Sequence, residues 1–99
     1  MAYPNYKATK VTAITNNNPS SITPENKNNK GFMILPTFLS GASSAEIHLY
    51  SDPTGGEQGD SFTVYWNNDQ SPISPVHIPF RVHSISGISS TIAYFIELQ

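Results

Sequence analysis

The sequence predicts an all-β fold: a small antiparallel β-sandwich or jelly-roll-like barrel with an extended N-terminal arm. Three observations lead there. Apolar and polar residues alternate over segments of six to eight residues, the period of a strand with one buried face. Gly, Pro, Asn and Ser punctuate the gaps between those segments. No stretch offers ten residues at the helical period.

Residues 6–14 are rich in β-branched side chains but alternate poorly, as expected of an edge strand or an arm lying on a neighbour. Residues 15–30 show no period. Asn16, Asn17, Asn18 and Pro19 precede Ser20 to Glu25, and Asn26 to Lys30 follow. Asn side chains compete for local backbone hydrogen bonds and Pro fixes φ, so this stretch reads as a loop or extended connector. Its 16 residues exceed the usual loop of a compact domain, which implies either mobility or ordering by another chain. The expected division is therefore an arm and Asn/Pro-rich connector over 1–30 and a β-sandwich domain over 31–99.

Residues 31–39 are the most apolar stretch. Pro36 argues against a helix there, and a strand interrupted or bulged at Pro36, with Phe32 and Ile34 on one face, fits better. Residues 40–44 form a small-residue turn. In residues 45–50, Ala45, Ile47 and Leu49 make an inner row and Glu46, His48 and Tyr50 an outer one. The Gly-rich loop 51–60 then joins this segment to a second, where Phe62, Val64 and Trp66 alternate with Ser61, Thr63 and Tyr65. These two pair as a hairpin. Residues 67–72 end the second strand. Val76, Ile78, Phe80 and Val82 form the cleanest inner row, opposed by His77, Pro79, Arg81 and His83, with Pro79 favouring an edge position. Residues 84–90 read as a connection around Gly87. The last strand, 91–98, has Ile92, Tyr94, Ile96 and Leu98 on one row and Ala93 and Phe95 on the other, so it is either central or covered by a partner.

Composition narrows the functional classes. A chain of 99 residues fits one domain, and a domain of that size buries only about 60–68% of its unfolded surface. Cysteine is absent, which removes disulfides, thiolate nucleophiles and Cys-bound zinc together. Oligomerisation is the simplest remaining source of stability. Charged residues are 12% of the chain and the formal net charge is -2, while nine Asn, 13 Ser and eight Thr supply the polarity. Such a surface has no basic field for nucleic acid. No apolar run approaches the ~18 residues of a membrane span, and the N-terminus lacks the pattern of a signal peptide. Neither nucleic acid nor membrane is expected as a partner.

No constellation of reactive side chains stands out, and no cofactor is expected. Asp52, Glu57 and Asp60 share one Gly-rich loop that offers oxygens to Ca²⁺, but without EF-hand spacing, and a plain hairpin tip is the simpler reading. His77 and His83 share a strand parity yet would lie about 20 Å apart, too far for one zinc. Ser, His and acidic residues are abundant enough to assemble a triad on paper, but no nucleophile elbow supports one. Gly55, Gly56 and Gly59 lack the Lys and the strand-to-helix context of a phosphate loop. Trp66 shares the inner row of its strand, whereas Tyr50 and Tyr65 fall on the outer row and suit an interface.

Residues 45–50, followed by Val76-His77-Ile78-Pro79-Phe80-Arg81-Val82-His83-Ser84-Ile85-Ser86-Gly87, resemble short all-β virion proteins of tailed bacteriophages. In those a Pro-Phe-Arg-Val-like strand leads into a Ser/Gly turn and a closing apolar strand, here residues 91–98. The resemblance covers roughly residues 45–98, and the N-terminal connector departs from the compact versions. It implies a non-enzymatic role as a capsid decoration or cement subunit on the capsid exterior, made in the host cytoplasm. It also implies a homo-oligomer, a trimer favoured, that contacts the major capsid protein or another virion protein. The alternative is a tail-, neck- or fibre-associated module recognising a glycan or protein receptor. For either, the interface candidates are Tyr3, Tyr6, Val11, Ile14, Phe38, Tyr50, Tyr65, His77, Arg81 and Phe95.

Overall fold

A computed structural model describes residues 8–15, 18–36, 42–67, 75–89 and 92–99. It contains seven strands: β1 (Ala8–Thr15), β2 (Gly31–Pro36), β3 (Ala42–Tyr50), β4 (Gln58–Asn67), β5 (Val76–Ile78), β6 (Val82–Ser89) and β7 (Ile92–Leu98). They form two packed antiparallel sheets, a four-stranded one in the order β1-β7-β2-β5 and a three-stranded one in the order β4-β3-β6. The sheets do not close into a barrel, so the sandwich is the alternative that holds.

The core lies between the sheets. Phe32 and Ile34 of β2, Ala45 and Ile47 of β3 and Phe95 of β7 face one another across it, with Trp66 edge-on to Phe95 at a ring separation of 6.2 Å. Each such side chain taken fully from water contributes about 1.5–3 kcal/mol. Ile14 and Ile22 belong to the same cluster. Residues 8–15 and 18–30 therefore pack with the sandwich; residues 1–7, 16 and 17 lie outside the described residues. β1 is an edge strand, paired with β7 from Thr15↔Ile92 to Ala8↔Leu98.

The connector is ordered by the chain itself. Thr15 and Asn18 exchange backbone hydrogen bonds of 3.1 Å, and the chain turns through a cis Asn18–Pro19 peptide. Ile22 then pairs with Ile85, donating at 2.8 Å and accepting at 2.9 Å, while the Ile88 amide donates to the Ser20 carbonyl. That lays residues 20–22 along the outer edge of β6. Further on, the Glu97 carboxylate accepts from the amides of Glu25 at 2.7 Å and Asn26 at 2.8 Å. Asn29 completes the path. Its Nδ2 donates to the carbonyls of Asn26 and Val82, and its Oδ1 accepts from the amides of Gly31 and Val82, all within 3.0 Å. Both donors and both lone pairs of that buried amide are thus used. Just beyond, Gly31 has a φ of 109°, and a Cβ there would collide with the Ile78 carbonyl oxygen. Only glycine fits.

Two stretches depart from simple alternation. The row expected from Val76 to Val82 is cut at Pro79, which lacks the amide that a ladder needs. β5 ends at Ile78 in one sheet and β6 begins at Val82 in the other. Phe80 lies on that crossing, 53% exposed rather than inward. Residues 84–90, expected as a connection, are mostly strand. Gly87, at φ 60°, forms a bulge in which three steps of β6 (Ser86 to Ser89) match two of β3 (Glu46 to Ser44). The extra residue turns both Ile85 and Ile88 inward, although they are three apart. In β7 the inward row is Ala93, Phe95 and Glu97, and Tyr94 is outward. β7 occupies a central position, which explains its two apolar faces.

Replacing Asn29 or Glu97 by Ala leaves buried or half-buried amides without acceptors, at about 1–3 kcal/mol each. We expect either variant to lose about 2–5 kcal/mol of stability. Asn28→Ala, at an exposed neighbour, should stay within about 0.5 kcal/mol. Urea unfolding followed by emission of Trp66, the sole tryptophan, measures all three.

Candidate functional site

The two outer faces of the sandwich differ in chemistry. Directly paired residues of neighbouring strands share a face. Across the four-stranded sheet one outer row therefore runs Val11, Ile96, Met33, His77, and the next runs Ala13, Tyr94, Leu35. Val11 is 58% exposed and Tyr94 46%. No Asp, Glu, Lys or Arg stands in either row. This is an apolar face across β1, β7 and β2, about 10 Å between its outermost strand axes, and it ends at His77 of β5.

The outer face of the three-stranded sheet is hydroxyl-rich and charged. Ser84, His48 and Ser61 align across β6, β3 and β4, and Ser86, Glu46 and Thr63 form the adjoining row. Ser61 donates to Glu46 at 3.2 Å, and Ser44 and Ser89 share a hydrogen bond of 3.1 Å. His48 stands 2.7 Å from Ser86 Oγ through Nε2 and 3.0 Å from Gln58 Nε2 through Nδ1. With the Gln58 amide oriented so, Nδ1 must accept and Nε2–H donates to Ser86. Glu46 approaches the same Nε2, at 3.9 Å, rather than the opposite nitrogen. The group works as a cross-strand polar clasp.

Arg81 organises one end of the sandwich. As the residue after the sheet crossing, it sends Nε–H to the Lys27 carbonyl at 2.6 Å. Its terminal nitrogens donate to the carbonyls of Asp52, Pro53 and Gly55 between 2.9 and 3.2 Å. The guanidinium lies 3.7 Å from the centroid of the Tyr50 ring, which meets His83 edge-on at 5.1 Å. A planar fork with five donors suits this better than a lysine would. The Asp52 carboxylate folds the same loop by accepting from the amides of Gly55 and Thr54. Those backbone hydrogen bonds, Gly55's first, hold its pKa below the ordinary carboxylate value, with a smaller contribution from Arg81. Beside it Leu49, Tyr50, Pro53, Phe80 and Arg81 line an open cleft of about 300 Å³. Phe80 also packs edge-on against Phe62 at 6.5 Å.

The interface candidates thus separate. Val11, Tyr65 and His77 are exposed. Tyr50 and Arg81 are half-buried and engaged with each other, so they build the loop end before they meet anything else. Ile14 and Phe95 are fully buried between the sheets and offer no surface: β1 turns Ile14 inward, and β7 is a central strand whose inner row holds Phe95. Tyr3, Tyr6 and Phe38 lie outside the described residues. Tyr94 and Ile96, absent from that set, are central to the apolar face. The apolar character of both rows of the last strand was the signal for them, and only the register showed which row faces out. His77 and His83 stand in different sheets. Among the described residues no group of three or more His, Asp or Glu could hold a metal ion, and no helix is long and apolar enough to cross a membrane. No protein-family model, curated protein or solved structure matches the chain.

The lowered Asp52 pKa has a defined sign. The order that the Asp52 carboxylate gives the loop is fully present above the ordinary carboxylate value, about 3.9, and is lost as pH falls through the lower folded value. NMR titration should show the Thr54 and Gly55 amides shifting together with that carboxyl, below the range of free Asp. Asp52→Asn should abolish the transition.

Proposed function

We propose that the chain is a non-enzymatic structural subunit of a virion, a capsid decoration or cement protein that docks through the outer face of its four-stranded sheet. The observation that carries this reading is the contrast between the two faces: one apolar and free of formal charge around Val11, Met33, Tyr94 and Ile96, the other bearing Ser, Thr, His and Glu with Tyr65 exposed among them. Such a subunit has one side suited to burial and one suited to water, so it sits on a surface in a single orientation. Contiguous exposed apolar area on a small chain marks a contact site. A face this narrow falls at the low end for a stable pairwise interface. On a repeating shell, weak contacts made at several points multiply through effective concentration, which is what bridging between neighbouring major capsid proteins requires. The loose likeness of residues 45–98 to short phage virion proteins favours the same reading, with the capsid exterior as its proposed location.

The alternative role, a tail-, neck- or fibre-associated module for a glycan or protein receptor, is favoured by a separate feature, the cleft between Tyr50, Pro53 and the exposed Phe80. Glycan-array binding lost in Phe80→Ala would support that role over cementing.

Mass spectrometry and immunogold labelling of purified particles of the encoding virus test the main reading. We expect the chain on the head exterior; label on the tail would move it to the alternative, and absence from particles would sink both. Val11→Glu with Tyr94→Glu should leave the fold intact and weaken retention on particles at least about tenfold, because burying unpaired carboxylates on the docking face costs more than 1.4 kcal/mol.

A further inference from the structure

Four strand edges bound the two sheets, and the chain treats three of them differently from the fourth. β5 is three residues long and stops at Pro79. The outer edge of β6 is covered by residues 20–22 of the connector. β1 carries Lys10 and an irregular register between Ala8 and Lys10. Short length, proline, a covering segment, lysine and bulges are the devices by which proteins keep edges from pairing. β4 is the longest strand, with ten residues, and its one irregularity lies before Ser61. From Ser61 to Asn67 it runs in regular register with β3, without a charge, Pro, Gly or Lys. Five consecutive members, Phe62, Thr63, Val64, Tyr65 and Trp66, are β-branched or aromatic. Among the described residues nothing covers this edge, and Tyr65 beside it is 76% exposed.

We propose that β4 pairs antiparallel with β4 of a second copy about a two-fold axis at Val64, joining two three-stranded sheets into one of six strands. The register follows from the pattern. A two-fold centred on a residue keeps inward residues opposite inward ones, whereas one centred between residues would set apolar against polar. The uncharged regular window 61–67 has Val64 at its middle. Centring there places Phe62 opposite Trp66 of the other copy, Val64 opposite itself and Thr63 opposite Tyr65. Aromatic pairs and aromatic–β-branched pairs are the favourable cross-strand partners. Asp60, the nearest charge along the strand, falls outside the window, so no like charges meet. That self-complementarity is why a second copy, rather than an unrelated strand, is the partner. The seam joins two copies where the virion resemblance implies three, and it is separate from the apolar docking face, so each stands or falls alone.

The chain has no cysteine, which makes cross-linking specific. Thr63→Cys and Tyr65→Cys, both at exposed positions, would face each other across the seam, with Cα atoms about 4.5–5.5 Å apart, within disulfide range. We expect an equimolar mixture of the two variants to form disulfide dimers under mild oxidation, and either variant alone to form far fewer. Light scattering of the unmodified chain should give twice the 10.8 kDa monomer mass at high concentration. Thr63→Lys with Tyr65→Lys should weaken the dimer at least tenfold while circular dichroism stays unchanged. Val11→Glu with Tyr94→Glu should leave the dimer intact. A monomer at millimolar concentration, equal cross-linking by all the Cys variants, or an oligomer indifferent to the two lysines would each overturn the proposal.

Discussion

Asn29 stands where the chain leaves its connector and enters β2, and it binds Val82 as a neighbouring strand would, giving and taking one hydrogen bond. Val82 opens β6 in the other sheet, and Asn29 also holds the amide of Gly31 at the start of β2. One buried side chain therefore ties the first residues of two strands in different sheets. Glu97 does comparable work nearby, drawing the amides of Glu25 and Asn26 towards β7. Without these two groups the polar stretch 18–30 would have few apolar side chains to anchor it. With them it crosses from the edge of β6 to β7, delivers Ile22 to the core and shields a strand edge on the way.

The core is small, so polar fastenings matter more here than in a larger domain. A chain of 99 residues cannot bury every apolar side chain between two short sheets. Part of the surplus lies on the outer face of the four-stranded sheet, where β7 and β2 carry apolar residues on both sides, while Phe62, Tyr65 and Phe80 are exposed elsewhere. The opposite sheet spreads hydroxyls, Glu46 and His48 over its exterior. A protein with this distribution has a direction, and that direction underlies its reading as a surface-bound structural subunit.

The loop end shows a different economy of charge. The sole arginine stacks on Tyr50 and addresses four carbonyls, and Asp52 accepts from two amides of the same loop. Three carbonyls of the Gly-rich segment are folded around a guanidinium. Asp52 and Arg81 both act on backbone, and both also line the cleft beside Phe80, with Leu49, Tyr50 and Pro53.

Much of the fold was legible in residue order. Alternation in residues 45–50 and 61–66 marked the β3–β4 hairpin, because a two-residue period exposes one face directly. Pro79 marked a break, because proline has no amide to donate, whereas the residues after Pro36 lie outside the described ones. The apolar residues on both rows of 91–98 marked a strand either central or covered by a partner, and the sheet order places it centrally. What the sequence could not convey was phase wherever a local irregularity shifts it. Gly87 adds one residue to β6 and turns Ile85 and Ile88 to the same side, so a true strand looked like a loop. Pro79 changes sheet as well as ending a ladder, and Phe80 left the inner row for the surface. The apolar face and the bare β4 edge were invisible for a deeper reason: both are defined by which strands lie side by side. Residue order alone determined that this chain makes strands and where most of them break. Tertiary structure decided which apolar rows meet each other and which meet water, since pairing between distant strands depends on hydrogen bonds and packing that no single segment contains.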